Sequence, residues 1–61
     1  MKYSDLEIGT KVYNAQMDEH AMIEARHPNG YLMLRLLDGP DKDDTIDMSP
    51  SEVATFWRVA P

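Results

Sequence analysis

The stretch that decides the fold of this chain is residues 21–36, which read AMIEARHPNGYLMLRL. Apolar and polar residues alternate with a period of two on both sides of its centre, which is typical of half-buried strands. The centre, HPNG at residues 27–30, has the composition of a turn, because proline presets φ, asparagine tolerates unusual backbone angles and glycine accepts a positive φ. The stretch therefore predicts an antiparallel β-hairpin with one apolar face.

The register of this hairpin follows from the requirement that apolar residues oppose apolar residues. A four-residue loop at residues 27–30 meets it, and the inward pairs are then Ala25 with Leu32, Ile23 with Leu34 and Ala21 with Leu36. A three-residue loop with a glycine bulge would set Ile23 against Arg35, and a slip of one residue turns every side chain to the other face. We therefore predict the four-residue loop, whose outward pairs are Arg26 with Tyr31, Glu24 with Met33 and Met22 with Arg35.

The flanking segments predict three further strands. An opening strand is predicted at residues 8–13, where Val12 faces one side of the sheet and Lys11 and Tyr13 face the other. A loop follows at residues 14–19. After the hairpin, a polar stretch at residues 38–44, here called the acidic loop, leads into a short strand at residues 45–48. The final strand is predicted at residues 56–59.

The most specific local signal is SPSE at residues 49–52. Ser49 is a favoured helix N-cap, Pro50 suits the first helical position, and Glu52 at the third position completes a capping box. Met48 and Val53 stand where a hydrophobic staple requires apolar residues. The segment predicts one short helical turn, because the final strand follows at once.

This order of elements is similar to that of the SH3-like small barrels, including the KOW and Tudor-like groups. The segments that carry the resemblance are residues 6–12, the hairpin at residues 21–37 with the Asp-Gly pair after it, and residues 49–53. The resemblance implies a mostly β fold: a five-stranded SH3-like small barrel with one short helical turn before the last strand. It covers nearly all of the chain, so residues 1–61 are expected to form a single domain. Fold analogy does not by itself transfer a function.

Composition restricts the possible classes of function. The 61 residues include no cysteine, which excludes a disulfide framework and a thiolate metal site. No apolar run approaches the roughly 18 residues of a membrane span. The start, MKYSD, lacks the apolar stretch of a signal peptide, so we expect a cytoplasmic protein without membrane contact. The net charge of −5 disfavours binding to nucleic acid and favours a protein partner with a basic surface.

Two surfaces are candidates for binding such a partner. The outward-facing side chains of the hairpin and opening strand, here called the outer face, are of types enriched at protein interfaces: Tyr13, Met22, Tyr31, Met33 and Arg35. The acidic loop offers three further candidates: Asp41, Asp43 and Asp44. We expect a non-catalytic interaction module that docks on a larger protein, basic or nucleic-acid-handling, as an accessory subunit or an inhibitor. The sequence leaves open which surface makes the contact.

The alternative is a nucleic-acid-binding small barrel. It would use the basic and aromatic residues Lys11, Arg26, Tyr31 and Arg35, and the last three share the outer face in the predicted register. A steep loss of affinity with salt would identify it. The two histidines, His20 and His27, are interpreted as exposed loop residues, because no nucleophile or third group organises them. The aspartates of the acidic loop do not have the spacing of a calcium loop, so neither a catalytic residue, a metal nor a cofactor is predicted.

Overall fold

The structure is a computed structural model and describes every residue from 1 to 61. After a short 3₁₀ helix at Tyr3–Asp5, the chain forms β1 (Lys11–Asn14), β2 (Glu19–Arg26), β3 (Leu32–Leu36), β4 (Thr45–Met48), the helix α1 (Pro50–Phe56) and β5 (Arg58–Val59). The fold is mostly β with one short α-helix, as the sequence predicted. No helix in it has the length and apolar character needed to cross a membrane.

The five strands form a single antiparallel sheet in the order β4-β3-β2-β1-β5. The last strand returns to lie beside the first, where Val12 pairs with Val59 and Tyr13 pairs with Arg58. β4 and β5 stand at opposite edges and do not pair with each other, so the sheet is not closed. Five strands are therefore confirmed, whereas the closure of a barrel is not observed.

The hydrophobic core lies against one face of the sheet. The strands contribute the inward residues Val12, Ala21, Ile23, Leu32, Leu34 and Leu36, and the rest of the cluster comes from Leu6, Val53 and Trp57. Complete burial of a large aliphatic side chain stabilises a fold by about 1.5–3 kcal/mol, so this cluster supplies the main stabilising term. The face assignment of the hairpin is confirmed for every predicted inward residue except Ala25, which is only half buried.

The hairpin connection is shorter than predicted. The His27 N–H donates to the Tyr31 carbonyl at 2.8 Å, so only residues 28–30 lie between hydrogen-bonded positions. Alone, this three-residue loop would set Ile23 against Arg35. A β-bulge between Ile23 and Ala25 absorbs one extra residue of β2, and Ile23 still pairs with Leu34. The predicted loop length was wrong, and so was the predicted pair of Ala25 with Leu32, because Ala25 pairs with Met33. The pairs Ile23 with Leu34 and Ala21 with Leu36 are correct, because the bulge compensates for the change of register.

The bulge also changes which side of the sheet the end of β2 presents. Arg26 pairs with the core residue Leu32 instead of with Tyr31. Residues directly opposite one another share a face, so Arg26 leaves the outer face, and its Nη2 donates to the Leu6 carbonyl at 3.1 Å. The prediction that Arg26, Tyr31 and Arg35 share one face was therefore wrong. The alternative nucleic-acid surface depended on that shared face.

The opening strand is also shorter than predicted. β1 begins at Lys11 rather than at residue 8, because the chain turns just before it. The Thr10 N–H donates to the Glu7 carbonyl at 3.1 Å, and Gly9 has a φ of 95°, which is incompatible with an extended strand. Ile8 consequently lies in a turn and remains largely exposed. At the other end, β1 includes Asn14 and β2 includes Glu19, the first and last residues of the predicted loop, so the connection is residues 15–18.

The helix begins as predicted and ends later. The Ser49 hydroxyl accepts a hydrogen bond from the Glu52 N–H, and the Glu52 carboxylate accepts one from the Ser49 N–H, which confirms the capping box. The helix then continues through Phe56, where a strand was predicted, and β5 is reduced to two residues. Trp57 closes the helix and is buried, whereas Phe56 is half exposed. Only one of these two neighbouring aromatic residues therefore belongs to the core.

Candidate functional site

The predicted residues of the outer face lie on neighbouring strands. Lys11 opposes Met22, and Met22 opposes Arg35, so these side chains form one row across β1, β2 and β3. Tyr13 lies one row away on β1, and Met33 lies on β3 with its side chain half buried. The structure therefore brings together four of the five predicted residues. Their partial burial leaves less apolar surface for a partner than the sequence predicted.

Tyr31 stands apart from this group. It precedes β3 instead of belonging to it, and it keeps 42% of its surface exposed. Its N–H donates to the Asn29 side chain at 3.0 Å, which fixes the backbone of the hairpin turn and leaves the ring outside.

The Arg35 side chain is occupied within this chain. Its guanidinium makes two hydrogen bonds to the Glu24 carboxylate, that from Nη2 to Oε1 being 2.9 Å long. This contact holds the pKa of Glu24 below its usual value and raises the pKa of Arg35. The remaining Nη1 donates to the backbone carbonyl of Asp43 at 2.8 Å. Arg35 therefore connects the outer face to the acidic loop, and its guanidinium is hydrogen-bonded within this chain.

An aromatic group occupies the corner of the outer face where β5, β1 and β2 meet. The rings of Tyr13 and His20 lie 4.8 Å apart in a tilted arrangement, and the Arg58 guanidinium lies 5.1 Å from the centre of the Tyr13 ring. The Tyr13 hydroxyl donates to Asp18 Oδ1 at 2.8 Å, and this hydrogen bond raises the pKa of Tyr13. The group is thus bound together by its own contacts.

Both histidines are paired with aspartates from distant parts of the sequence. The interpretation as exposed loop residues was wrong for His20, which lies in β2, whereas His27 lies in the hairpin turn. His20 Nδ1 lies 2.6 Å from Asp38 Oδ2, and His27 Nε2 lies 2.8 Å from Asp47 Oδ1. Asp38 also accepts the backbone N–H of His20 at 2.8 Å. The pKa of Asp38 is lowered chiefly by this backbone hydrogen bond and then by the His20 side chain. Each pair ties β2 or its turn to a neighbouring segment.

The acidic loop has a defined backbone. The Leu36 N–H donates to the Asp44 carbonyl and the Asp43 N–H donates to the Leu36 carbonyl, both at 2.9 Å. A further hydrogen bond of 3.0 Å runs from the Asp44 N–H to the Asp41 carbonyl. Asp43 adopts a φ of 74°, in the left-handed region. With Asp38 held by His20 and the Asp43 carbonyl held by Arg35, the loop is fixed at both ends.

The carboxylates at the tip of this loop are free. Asp41, Asp43 and Asp44 are all exposed, and none of their side chains takes part in a salt bridge. Lys42 is also exposed and unpaired. The structure therefore places three predicted site residues together on one ordered loop with no partner of their own. Among the predicted surfaces, this is the one whose functional groups are not already used.

Glu19 is a residue that the sequence did not single out. It lies at the start of β2 with 7% of its surface exposed, on the core side of the sheet. No hydrogen bond reaches its Oε2 atom, which is buried. Its carboxylate lies against Gly39 of the acidic loop, where a Cβ would be 3.5 Å from Glu19 Oε1. The alternation of β2, extended back by two residues from Ala21, was the signal that could have placed Glu19 on the inner face.

No three histidine, aspartate or glutamate side chains converge in a way that could hold a metal ion, and the surface has no cavity. Comparison of the chain with protein-family models, curated proteins and solved structures finds no match in any of the three.

Proposed function

We propose that this protein is a non-catalytic interaction module that docks on a larger protein with a basic surface, as an accessory subunit or an inhibitor. The observation that carries the proposal is the presence of three exposed carboxylates without a salt bridge on one ordered loop: Asp41, Asp43 and Asp44. With a net charge of −5, the chain as a whole would also be steered toward a positively charged surface.

The fixed backbone of the acidic loop supports this role. A partner that binds a mobile loop must pay for ordering it, whereas a loop already held in place loses little entropy on binding. The contacts that hold it come from two strands, through His20 to Asp38 and through Arg35 to the Asp43 carbonyl. Neither contact uses the carboxylates at the tip of the loop.

The proposal includes an SH3-like small barrel as the scaffold. Three features support that architecture: β5 lies beside β1 at the end of a meander, the long strand β2 carries a bulge, and a short helix precedes β5. In such a scaffold a tightly held sheet positions the loops, and binding is performed by the loops.

The outer face is the less favoured contact surface. Its arginine is bound to Glu24, and its methionines are half buried, so little of it is free to enter a partner. Tyr31 is the exception, because its ring is exposed. The test must therefore separate Tyr31 from the acidic loop.

The experiment measures binding of two probes: a short synthetic arginine-rich peptide as a mimic of a basic surface, and a single-stranded oligonucleotide. We expect the peptide to bind with an affinity that falls with salt, and the oligonucleotide not to bind. The triple variant Asp41→Asn, Asp43→Asn, Asp44→Asn should bind the peptide about tenfold more weakly than the parent chain, because its neutral loop no longer attracts cations.

Two control variants make the result specific. Glu7→Gln removes one exposed negative charge outside the acidic loop, so it should change the affinity far less than Asp44→Asn does. Tyr31→Ala should leave peptide binding unchanged. Loss of binding in Tyr31→Ala, with the triple variant unaffected, would contradict the proposal and identify the outer face as the contact surface. Tighter binding of the oligonucleotide than of the peptide would contradict it as well.

A further inference from the structure

The strand β4 lies at one edge of the sheet, and its outer side is unpaired. β3 is its only partner. The Leu36 N–H of β3 donates to the Asp44 carbonyl at 2.9 Å, so that carbonyl points toward β3. The backbone groups of an antiparallel ladder alternate in direction, so those of Thr45 and Asp47 point away from β3. The N–H and carbonyl groups of these two residues therefore have no partner within the sheet.

β4 has few of the features that normally block such an edge. Lysine, proline, a bulge or a very short strand usually protects an edge strand from pairing with another chain. β4 contains neither lysine nor proline, and its register with β3 is regular over all four residues. β5, at the opposite edge, is only two residues long and offers little backbone for pairing. β4 is therefore the edge at which the sheet can be extended.

The charges around β4 are selective. Asp47, its one charged residue, is exposed and has His27 as its single side-chain partner, and the acidic loop ends at Asp44 immediately before the strand. Arg35 on the neighbouring strand is already bound to Glu24. A second copy of this chain would bring the same aspartates close to one another, and like charges opposite each other are destabilising. The edge therefore disfavours a second copy and favours a basic segment.

The two faces of β4 differ in character. The side chains of Ile46 and Met48 pack against the core. Those of Thr45 and Asp47 lie on the other side of the sheet and are exposed. Residues directly opposite one another on neighbouring strands share a face. A segment that pairs with β4 would therefore place one set of alternate side chains beside Ile46 and Met48, where apolar residues fit, and the other set beside Asp47, where cations fit.

We infer that an extended segment of the partner, in which basic and apolar residues alternate, adds to the five-stranded sheet as a further strand beside β4. This inference rests on the proposed function and names the part of the basic partner that the protein binds. Backbone hydrogen bonds to Thr45 and Asp47 supply affinity, and the alternating side chains supply specificity. The acidic loop, which leads directly into β4, steers the basic segment to this edge.

The experiment measures binding of a short synthetic peptide in which arginine and valine alternate. Two further peptides have the same sequence and charge but carry backbone N-methyl groups, either on every arginine or on every valine. Every strand pair of this sheet is antiparallel, so the peptide residues opposite Thr45 and Asp47 are those that exchange hydrogen bonds with them. Arginines fit these positions. Methylation of the arginines should therefore weaken binding at least about tenfold, whereas methylation of the valines should change it little.

A variant of β4 tests the same contact from the side of the protein. Thr45→Pro removes an outward N–H group without changing the charge or breaking the ladder to β3, so it should weaken peptide binding about tenfold. Thr45→Val keeps the N–H group and is the matched control, which should bind like the parent chain. If Thr45→Pro folds poorly, the methylated peptides decide the question, because they leave the protein unchanged.

The inference and the proposed function fail in different ways. If the two methylated peptides bind equally well while the triple aspartate variant still loses binding, the acidic loop attracts cations without strand pairing, and the inference is wrong. If the parent chain binds none of the peptides, the basic partner itself is wrong, and the inference falls with it. Dimerisation of the chain in sedimentation, abolished by Thr45→Pro, would also overturn the inference, because a second copy would then occupy the edge.

Discussion

Asp43 holds its backbone in the left-handed region, with a φ of 74°, at the point where the acidic loop meets β3 through the Leu36 carbonyl. Aspartate and asparagine tolerate this conformation better than other residues with a side chain, whereas β-branched residues are strained there. The backbone carbonyl of Asp43 accepts the hydrogen bond from Arg35 Nη1. The shape of the loop therefore depends on a residue that the sequence marked only by its charge.

We predict that Asp43→Val destabilises the fold by about 1–2 kcal/mol, because valine must adopt the left-handed conformation. Asp43→Asn should be nearly neutral, since asparagine tolerates it. Asp44→Val is the matched control: Asp44 is exposed and does not have a positive φ, so the same replacement should cost little. Urea denaturation of the three variants provides the measurement. An equal loss for both valine variants would contradict the role of backbone strain.

The residue contacts that the sequence could not predict are those between distant segments. His20 and Asp38 are 18 positions apart, and they meet because Ala21 pairs with Leu36 and the Leu37 N–H donates to the His20 carbonyl at 2.8 Å. Arg35 and Glu24 were predicted to face outward in different pairs, and they make contact as diagonal neighbours on adjacent strands. Period-two alternation indicates on which face of the sheet a side chain lies, but it does not indicate which neighbouring side chain it contacts.

Among the elements, α1 shows how far local signals reach. Its beginning could be predicted because four consecutive residues contain all the groups that the capping box uses. Its end could not, since Thr55, Phe56 and Trp57 have the composition of a strand. Burial of Trp57 in the core decides where the helix stops, and burial is a tertiary effect. The sequence predicted a single helical turn, and the structure has a helix of seven residues.

We predict that Ser49→Ala destabilises the protein by about 1 kcal/mol, the usual effect of losing a helix N-cap. The hydroxyl accepts the Glu52 N–H at 3.2 Å, and alanine leaves that donor without its partner. Ser4→Ala is the control, because the Ser4 hydroxyl is exposed and makes no hydrogen bond. In chemical denaturation, the unfolding midpoint of Ser49→Ala should be lower than that of the parent chain, and the midpoint of Ser4→Ala should be unchanged. Equal midpoints for the two variants would show that the cap does not contribute.

For the hairpin, the strand pairing in the core was easier to predict than the turn that connects the strands. The pairing of Ile23 with Leu34 could be predicted from alternation alone, but the loop length could not. A four-residue loop gives this pairing directly, and a three-residue loop gives it when β2 carries a bulge between Ile23 and Ala25. The difference matters only beyond the bulge, where it moves Arg26 away from Arg35. That displacement takes Arg26 out of the set of basic and aromatic residues predicted to share the outer face.

A protein of 61 residues without cysteine has a small margin of stability. Its charge contacts therefore affect the free energy of unfolding of the whole molecule. Three carboxylates have a pKa below the usual value in the folded state. Asp38 is held by the His20 N–H and side chain, Glu24 by the Arg35 guanidinium, and Glu52 by the Ser49 N–H and hydroxyl. In the unfolded chain these contacts are lost, and the groups titrate near pH 4.

The sign of the pH dependence follows from these directions. A carboxylate with a lowered folded-state pKa favours the folded protein at pH values above its unfolded pKa, and this contribution is lost as the pH falls through the folded pKa. We therefore predict that the free energy of unfolding declines as the pH falls below about 4. Asp38→Asn should flatten this decline, because asparagine does not titrate. Asp41→Asn removes an equal charge from a side chain without a hydrogen bond and should leave the decline unchanged.

Denaturation curves at several pH values compare the three proteins, and an identical acid decline in Asp38→Asn and the parent chain would contradict the prediction. Such a result would mean that the contact between His20 and Asp38, which fixes one end of the acidic loop, does not contribute to the stability of the fold.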